Sequence, residues 1–482
     1  MRPVPVPTAS PYDAVVVGAG PNGLAAAIRL AEAGQRVAVF EANETAGGGV
    51  RSMALTRPGF VHDFGAAVFP LGVGSPFFRR LPLARYGLEW IHPPLPLAHP
   101  LDGGRAALLS RSLDETAAGL GRDGGGYRRL AAPVVRAWPA LEREVLRPML
   151  HVPRHPVALA RFGLRALLPP ERLGAWAFRG EAAKALWAGV AAHAVRPFSA
   201  PGASAIGLTL LALAHRVGWP APRGGAGALT AALVAHLRAL GGEVVTSRPV
   251  THLDGLPPAR AVLLDVSPRA LLRLAGDRLP GRYRRAIAGF RPGPGTFKLD
   301  WALDGPIPWA HPGVARAGTV HLGGTLEEIA ASEAAVDAGC PPERPYVLLG
   351  QPSLFDPTRA PEGKHTAWAY CHVPNGSTAD MADAIEAQVE RFAPGFRARI
   401  LARHAFSPAA LEAADANLVG GDLTGGENDL WQLTARPVLH PNPYRTPLDG
   451  VYICSASTPP GGGVHGMCGY HAANAALRDM LG

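Results

Sequence analysis

Cysteine is scarce in this chain: four residues in 482 (Cys340, Cys371, Cys454, Cys468), with no C-x-x-C or C-x₄-C pair among them. That spacing excludes a disulfide framework and encodes no redox-active dithiol, so the thiols read as free side chains of a reducing compartment. No run of about 20 uncharged apolar residues occurs, so no transmembrane helix is expected. The proline-rich start, Met1 to Pro11, lacks the basic-then-apolar build of a signal peptide. The expected location is cytoplasmic. No H-x-x-x-H, Cys–His cluster or paired-carboxylate spacing is present, and no metal is expected. Aromatic residues make up only 7% and charged residues 18% of the chain. No recognisable nucleic-acid-binding module interleaves aromatics with bases, and no nucleic-acid partner is expected.

What is present is globular composition, 48% apolar, over a length that exceeds one hydrophobic core. Glycine (58) and proline (49) are abundant but scattered, which implies many turns rather than a repeat. The net charge of +9 is concentrated in one stretch. Between Val145 and Arg223, ten Arg or Lys face only Glu171 and Glu181, a local balance of +8. Phe162, Leu164, Leu167, Trp176, Phe178, Leu186 and Trp187 interleave with them. Such a stretch suits either an anionic membrane surface, making the protein a peripheral one, or an arginine-rich solvated face on ordinary helices. Nothing in the pattern fixes an oligomeric state.

The strongest local signal is Tyr12 to Leu30. An apolar β-branched run, Ala14 to Val17, leads into Gly18-Ala19-Gly20-Pro21-Asn22-Gly23 and an alanine-rich helix stopped at Gly34. Gly18 allows a tight turn, Gly20 lets a pyrophosphate approach the backbone, and Gly23 lets helix pack on strand. The free N–H groups and dipole of the helix start favour phosphate. A second strand, Arg36 to Phe40, ends at Glu41, 18 residues beyond Gly23, where a Rossmann-like fold places its ribose acceptor. A second G-x-G-x-x-G, Gly119 to Gly124, follows the helical LDETAA without a strand and reads as a loop between helices.

Beyond Glu41 and Ala42, the run to Gly47-Gly48-Gly49-Val50-Arg51-Ser52 resembles the E-x₅-GG-x-x-x-[ST] extension of glutathione-reductase-type FAD proteins. Gly59 to Gly65 resembles the flavin-facing G-[FY]-x-x-D-x-G turn of amine oxidases and phytoene desaturases. The strand after Gly241-Gly242 resembles one whose end, near Val250, meets adenine. The ending Gly450 to Gly466, with Ser455-Ala456 and Gly461-Gly462-Gly463-Val464-His465, is similar to that of the phytoene-desaturase-like FAD-dependent oxidoreductases. Ser455-Ala456 replaces the usual Gly-Asp, and the stretch Thr251 to Arg260 leaves little room for the usual β-meander. The first departure falls on the desaturase side of the wider superfamily, and the second implies a trimmed sub-sheet.

The resemblance implies an α/β protein. Its three-layer ββα FAD domain would be assembled from residues 1–85, 220–290 and 425–482. A mixed α+β substrate domain would span 291–424, with a basic apolar helical insertion at 86–219. It implies FAD held by Gly18, Gly20, Pro21, Asn22, Gly23, Glu41, Ala42, Gly47, Gly48, Gly49, Arg51, Ser52, Gly65, Val250, Ser455, Ala456, Gly463 and Val464. The implied reaction is desaturation, saturation or isomerisation of an apolar substrate of the carotenoid or polyprenoid kind. An amine-oxidase-type activity and a non-catalytic, escort-like lipid carrier are the alternatives. Two residues are candidates for catalysis. Lys298 lies on a strand resembling the one that carries a flavin-side lysine in amine oxidases, or is a lysine on a solvated strand face. His465 is a proton donor beside the flavin loop or a structural hydrogen-bonding group. His321, His365 and His372 read as substrate-wall or core residues, and Asn417 to Asp422 and Glu427 to Asp429 as loops feeding the cavity.

Overall fold

A computed structural model describes residues 12–481; the proline-rich start read above as lacking a signal lies outside them. Two sheets organise the chain. The first is parallel and five-stranded, in the order Val451–Ile453, Ala261–Leu264, Ala14–Val17, Val37–Phe40, Glu243–Val245. Val15 pairs in register with Ala38 on one side and Val262 on the other. These central strands are buried on both faces, which is why they read as unbroken apolar runs rather than alternating ones.

On one face lie the helices Pro21–Glu32, Gly227–Ala239 and Met467–Leu481. Small residues let them approach closely: a Cβ on Gly469 would sit 1.8 Å from the Asn22 carbonyl oxygen. The other face carries no second sheet among the described residues. In its place, Val250, Leu256 and Ala259 of the loop after Val245 cover Val15, Ala38 and Phe40, and the helix Pro268–Ala275 covers Val17 and Leu264. The ββα layering is therefore reduced to sheet, helices and a short covering loop. With so few residues between Val245 and Ala261, a meander has no chain to form from.

The second sheet has seven strands, in the order Ile400–Phe406, Gly295–Leu303, His365–Val373, Val347–Gly350, Ala317–Leu322, Leu95–Leu101, Arg105–Leu109. All its pairings are antiparallel except Ala317–Leu322 with Leu95–Leu101. Its last two strands come from the stretch expected to be a helical insertion. Pro96 and Pro100 obscured them, since proline argues against a strand with neighbours on both sides. The helices of that insertion begin at Leu113 and run to Arg216. The Gly119–Gly124 motif lies where one helix passes through a 3₁₀ turn into the next, Gly124–Val145. Among the described residues no helix is long and apolar enough to cross a membrane.

Candidate cofactor groove and substrate chamber

One cavity of about 1410 Å³ runs from the ends of the parallel strands to the face of the second sheet and under the helical insertion. Its first half is walled by main chain. Gly18 turns the chain out of its strand at φ +96°, where a side chain would be strained and would meet the Asp265 carbonyl oxygen at 2.8 Å. At Gly23 a Cβ would lie 2.0 Å from the Gly18 carbonyl oxygen, so only glycine lets this helix start so close to its strand. Gly20 caps the helix, Pro21 occupies its first position, and both line the cavity with Gly18 and Asn22. Asn22 Oδ1 is buried without a hydrogen-bond partner. The Gly48–Gly49 turn lies across this cradle, and Gly65 backs onto Gly49 so closely that a Cβ would meet its carbonyl oxygen at 2.6 Å.

Glu41 and Ala42 line the groove further along. The Glu41 carboxylate accepts hydrogen bonds from the Ala19 N–H (2.8 Å), the Asn43 N–H (2.9 Å) and the Asn43 side chain (3.1 Å). About four acceptor sites on a carboxylate leave one free for a hydroxyl group. Val250 is also on the wall, but the strand expected to end there stops at Val245, and Val250 sits in the loop that follows. Ser455, Ala456, Gly463, Val464 and His465 close the groove from the C-terminal strand and turn.

The remaining predicted cofactor residues are off the wall. Arg51 gives its guanidinium to the carbonyl oxygens of Gly48 (2.8 Å) and Ala414 (2.9 Å) and packs over Phe64 at 4.6 Å. It braces the glycine loop. Ser52 Oγ donates to Asp63 (2.9 Å) and accepts from the Gly227 N–H (3.0 Å), pinning that loop to the start of the distant helix Gly227–Ala239. Gly47, at φ +127°, and Gly23 shape the backbone without lining the cavity.

Sequence reasoning missed Asp265. It follows the strand Ala261–Leu264, lies directly behind the glycine turn, and accepts the Gly23 N–H at 2.8 Å. Burial pushes its carboxyl up to about 8, against the pull of that N–H. Asn417 holds the same turn, donating to the Asp265 carbonyl oxygen (2.9 Å) and accepting the Ser267 N–H (2.8 Å). The only sequence signal was an acidic residue ending an apolar strand, the same pattern that Glu41 shows.

The two candidate catalytic residues lie in different settings. Lys298 is fully buried, ion-paired with Asp300, and set among Asp63, His62 and Arg359 at the junction of the two domains. It does not line the cavity. Strand alternation places it on the same sheet face as Thr296 and its ion-pair partner Asp300. His465 does line the cavity, with Nδ1 accepting the Met467 N–H at 3.0 Å, the first amide of the last helix. Burial lowers it to about 4, so it is a neutral helix cap at physiological pH.

The second half of the cavity is walled by side chains. The strand His365–Val373 presents Trp368, Tyr370 and His372 to it, every second residue as a pleated strand requires, flanked by Thr296 and Thr319. The helix Pro156–Ala166 covers them with Leu159, Phe162, Gly163 and Ala166, spaced to share one helical face. Polar groups gather at one end. His372 Nδ1 lies 2.9 and 3.1 Å from the two oxygens of buried Glu333. His193 contacts His321, ring nitrogen to ring nitrogen, at 3.0 Å, and burial lowers His193 to about 3. Thr319 Oγ1 is buried without a partner. Of the three histidines left open between wall and core, His372 is wall, His321 is core behind His193, and His365 is held by Ser353 outside the cavity. Asn417, Asp422 and Asn428 reach the cavity, whereas Glu427 pairs with Arg196 and Asp429 caps the helix Leu430–Thr434.

The residues present fit FAD. A glycine cradle in which Gly18, Gly23 and Gly65 leave no room for a Cβ, an unpartnered Asn22 oxygen and an acidic acceptor lie along one groove that continues past Gly65 and Gly463. Comparison with known proteins points the same way. Residues 16–81 match the NAD(P)-binding Rossmann-like domain family. A pyridine nucleotide-disulfide oxidoreductase domain-containing protein 2 from Rattus norvegicus is 29% identical, over 97% of this chain and 94% of its own. Among solved structures, an oxidoreductase from Methanosarcina mazei superposes with a TM-score of 0.63 at 18% identity, covering 96% of this chain and 99% of that one. Cyclohexylamine oxidase from Brevibacterium oxydans gives 0.60 at 17% identity, covering 98% and 100%. A Rossmann-like dinucleotide domain joined to a mostly antiparallel sheet is thus the fold of this chain, one it shares with FAD-type oxidoreductases that include amine oxidases.

Proposed function

We propose that this protein is an FAD-dependent oxidoreductase that desaturates, saturates or isomerises an apolar substrate of the carotenoid-like or polyprenoid kind. The observation that carries this reading is the continuity of the cavity: a backbone cradle suited to a dinucleotide opens directly into a chamber of Leu, Phe, Trp and Ala side chains. When bound, the flavin supplies the redox chemistry, and the chain supplies position and a dry environment. Gly18, Gly20 and Asn22 would hold the pyrophosphate and Glu41 the ribose. The Gly463–His465 turn, held by the His465–Met467 cap, closes the far end. Phe162, Trp368 and Leu210 exclude water from the chamber.

A second reading, oxidation of an amine, is favoured by the polar end of the chamber. A histidine held by a buried glutamate there is suited to accept a proton from a substrate N–H or O–H. Anaerobic mixing with candidate substrates separates the two. Bleaching of the oxidised flavin by an apolar polyene, reoxidation of the reduced flavin by it, or its isomerisation with the flavin state unchanged supports the first reading, provided that alkylamines bleach nothing. Bleaching by amines alone replaces it with the second.

A further inference from the structure

Large apolar side chains are exposed on this protein almost nowhere except around one opening. Of the twelve that are exposed among the described residues, eight fall between Met149 and Trp176 and three between Leu430 and Leu439. The two segments meet. Thr434 Oγ1 lies 4.0 Å from the Met149 sulfur, and a Cβ on Gly202, beside the insertion helices, would be 2.4 Å from the Leu430 side chain. Met149, Leu167 and Leu430 are both exposed and part of the cavity wall, so this patch is the rim through which the chamber reaches the surface.

The helix Pro156–Ala166 shows why the patch requires a partner. Its inner face lines the chamber, yet its outer face carries Val157 (63% exposed) and Leu164 (75%). A surface helix of a monomer ordinarily turns a polar face outward, and this one has apolar residues on both sides. Its only charges are Arg161 and Arg165, with Arg154 before it and Arg172 on the next helix. None of the four has an ion-pair partner among the described residues. From Met149 to Trp176 the single acidic residue is Glu171.

We infer that this rim docks on an anionic lipid bilayer, with Leu164, Trp176 and Trp431 entering the interfacial region and the arginines meeting lipid phosphates. The charge decides the occupant: unpaired arginines among exposed apolar residues complement an anionic headgroup layer. The mouth then opens toward the hydrocarbon phase, and an apolar molecule enters the chamber without crossing water. This proposal is independent of the redox reading, because the surface is present whatever chemistry lies behind it.

Flotation of the full-length, flavin-loaded protein with phosphatidylcholine vesicles, with and without 30% phosphatidylglycerol, tests it. Flavin absorbance and thermal melting confirm that each variant is folded. The expected result is binding to the mixed vesicles that is at least tenfold tighter than to pure phosphatidylcholine and weakens with salt. L164D/W176D and R161E/R165E should each lose about tenfold or more. Quenching of tryptophan fluorescence by brominated acyl chains, reduced in W176F and lost in W176F/W431F, is expected as well. Equal binding to both vesicles, or to neither, overturns the proposal. So does sedimentation showing a stable dimer that L164D/W176D dissociates, which would make a second copy of the chain the occupant.

Discussion

Between Gly18 and Gly65 the cavity wall is main chain, held open because no side chain fits. Between Trp368 and Phe162 it is side chain, and any of several apolar residues fills the same space. The first region is constrained by steric exclusion and the second by volume. They should therefore respond to substitution in opposite ways: loss of cofactor and fold in one, retention of cofactor with altered packing in the other.

The sharpest break is expected at Gly23. Gly23→Val forces atoms against the Gly18 carbonyl oxygen, 2.0 Å from where a Cβ would sit, and should cost upwards of about 3 kcal/mol and abolish flavin retention. Flavin content after gel filtration and the thermal midpoint check both. Lys298 is next. Lys298→Met leaves Asp300 buried without its ion pair, so a loss of about 3 kcal/mol is expected in denaturant unfolding, with the flavin still bound. A variant that stays as stable as the parent but is no longer reduced by substrate would return Lys298 to a catalytic role.

Asp265 sharpens the comparison through pH. Its carboxyl binds a proton more tightly in the folded chain, near 8, than at its ordinary 3.8. Protons are therefore lost on unfolding between those values, and stability declines as pH rises from about 4 to about 8. Asp265→Asn keeps an acceptor for the Gly23 N–H but carries no charge. It should stabilise the protein by on the order of 4 kcal/mol more at pH 9 than at pH 5. Equal effects at both pH values would contradict the protonated state assigned here. The smallest change is expected in the chamber, where Glu333→Gln weakens the bond to His372 and should cost about 1 kcal/mol while leaving one flavin per chain.

The same contrast explains what was legible in the sequence. Steric exclusion leaves glycine at fixed spacings, so the cradle, the first two strands and the carboxylate at Glu41 can be placed from residue spacing alone. Where residues act through long-range packing, the pattern is silent. Arg51 and Ser52 fall within a recognisable motif, yet their partners, Ala414 and Gly227, are far away in sequence, and nothing local shows that these side chains point away from the cofactor. Asp265 gains its role only when its strand lands beside Ala14–Val17. The His372–Glu333 pair joins a strand to a helix 39 residues earlier. Lys298 sits on the expected strand with its ion-pair partner Asp300 two residues away, but the groups that enclose the pair, His62 with Asp63 and Arg359, arrive from two distant segments.

Calorimetric titration of the apoprotein with FAD is the most direct test of the central claim. One molecule bound per chain, with the yellow of protein-held flavin, and no binding heat from Gly23→Val is the result the structure predicts. A folded chain that gives no heat and stays colourless, or that binds equally well with valine at position 23, would contradict it.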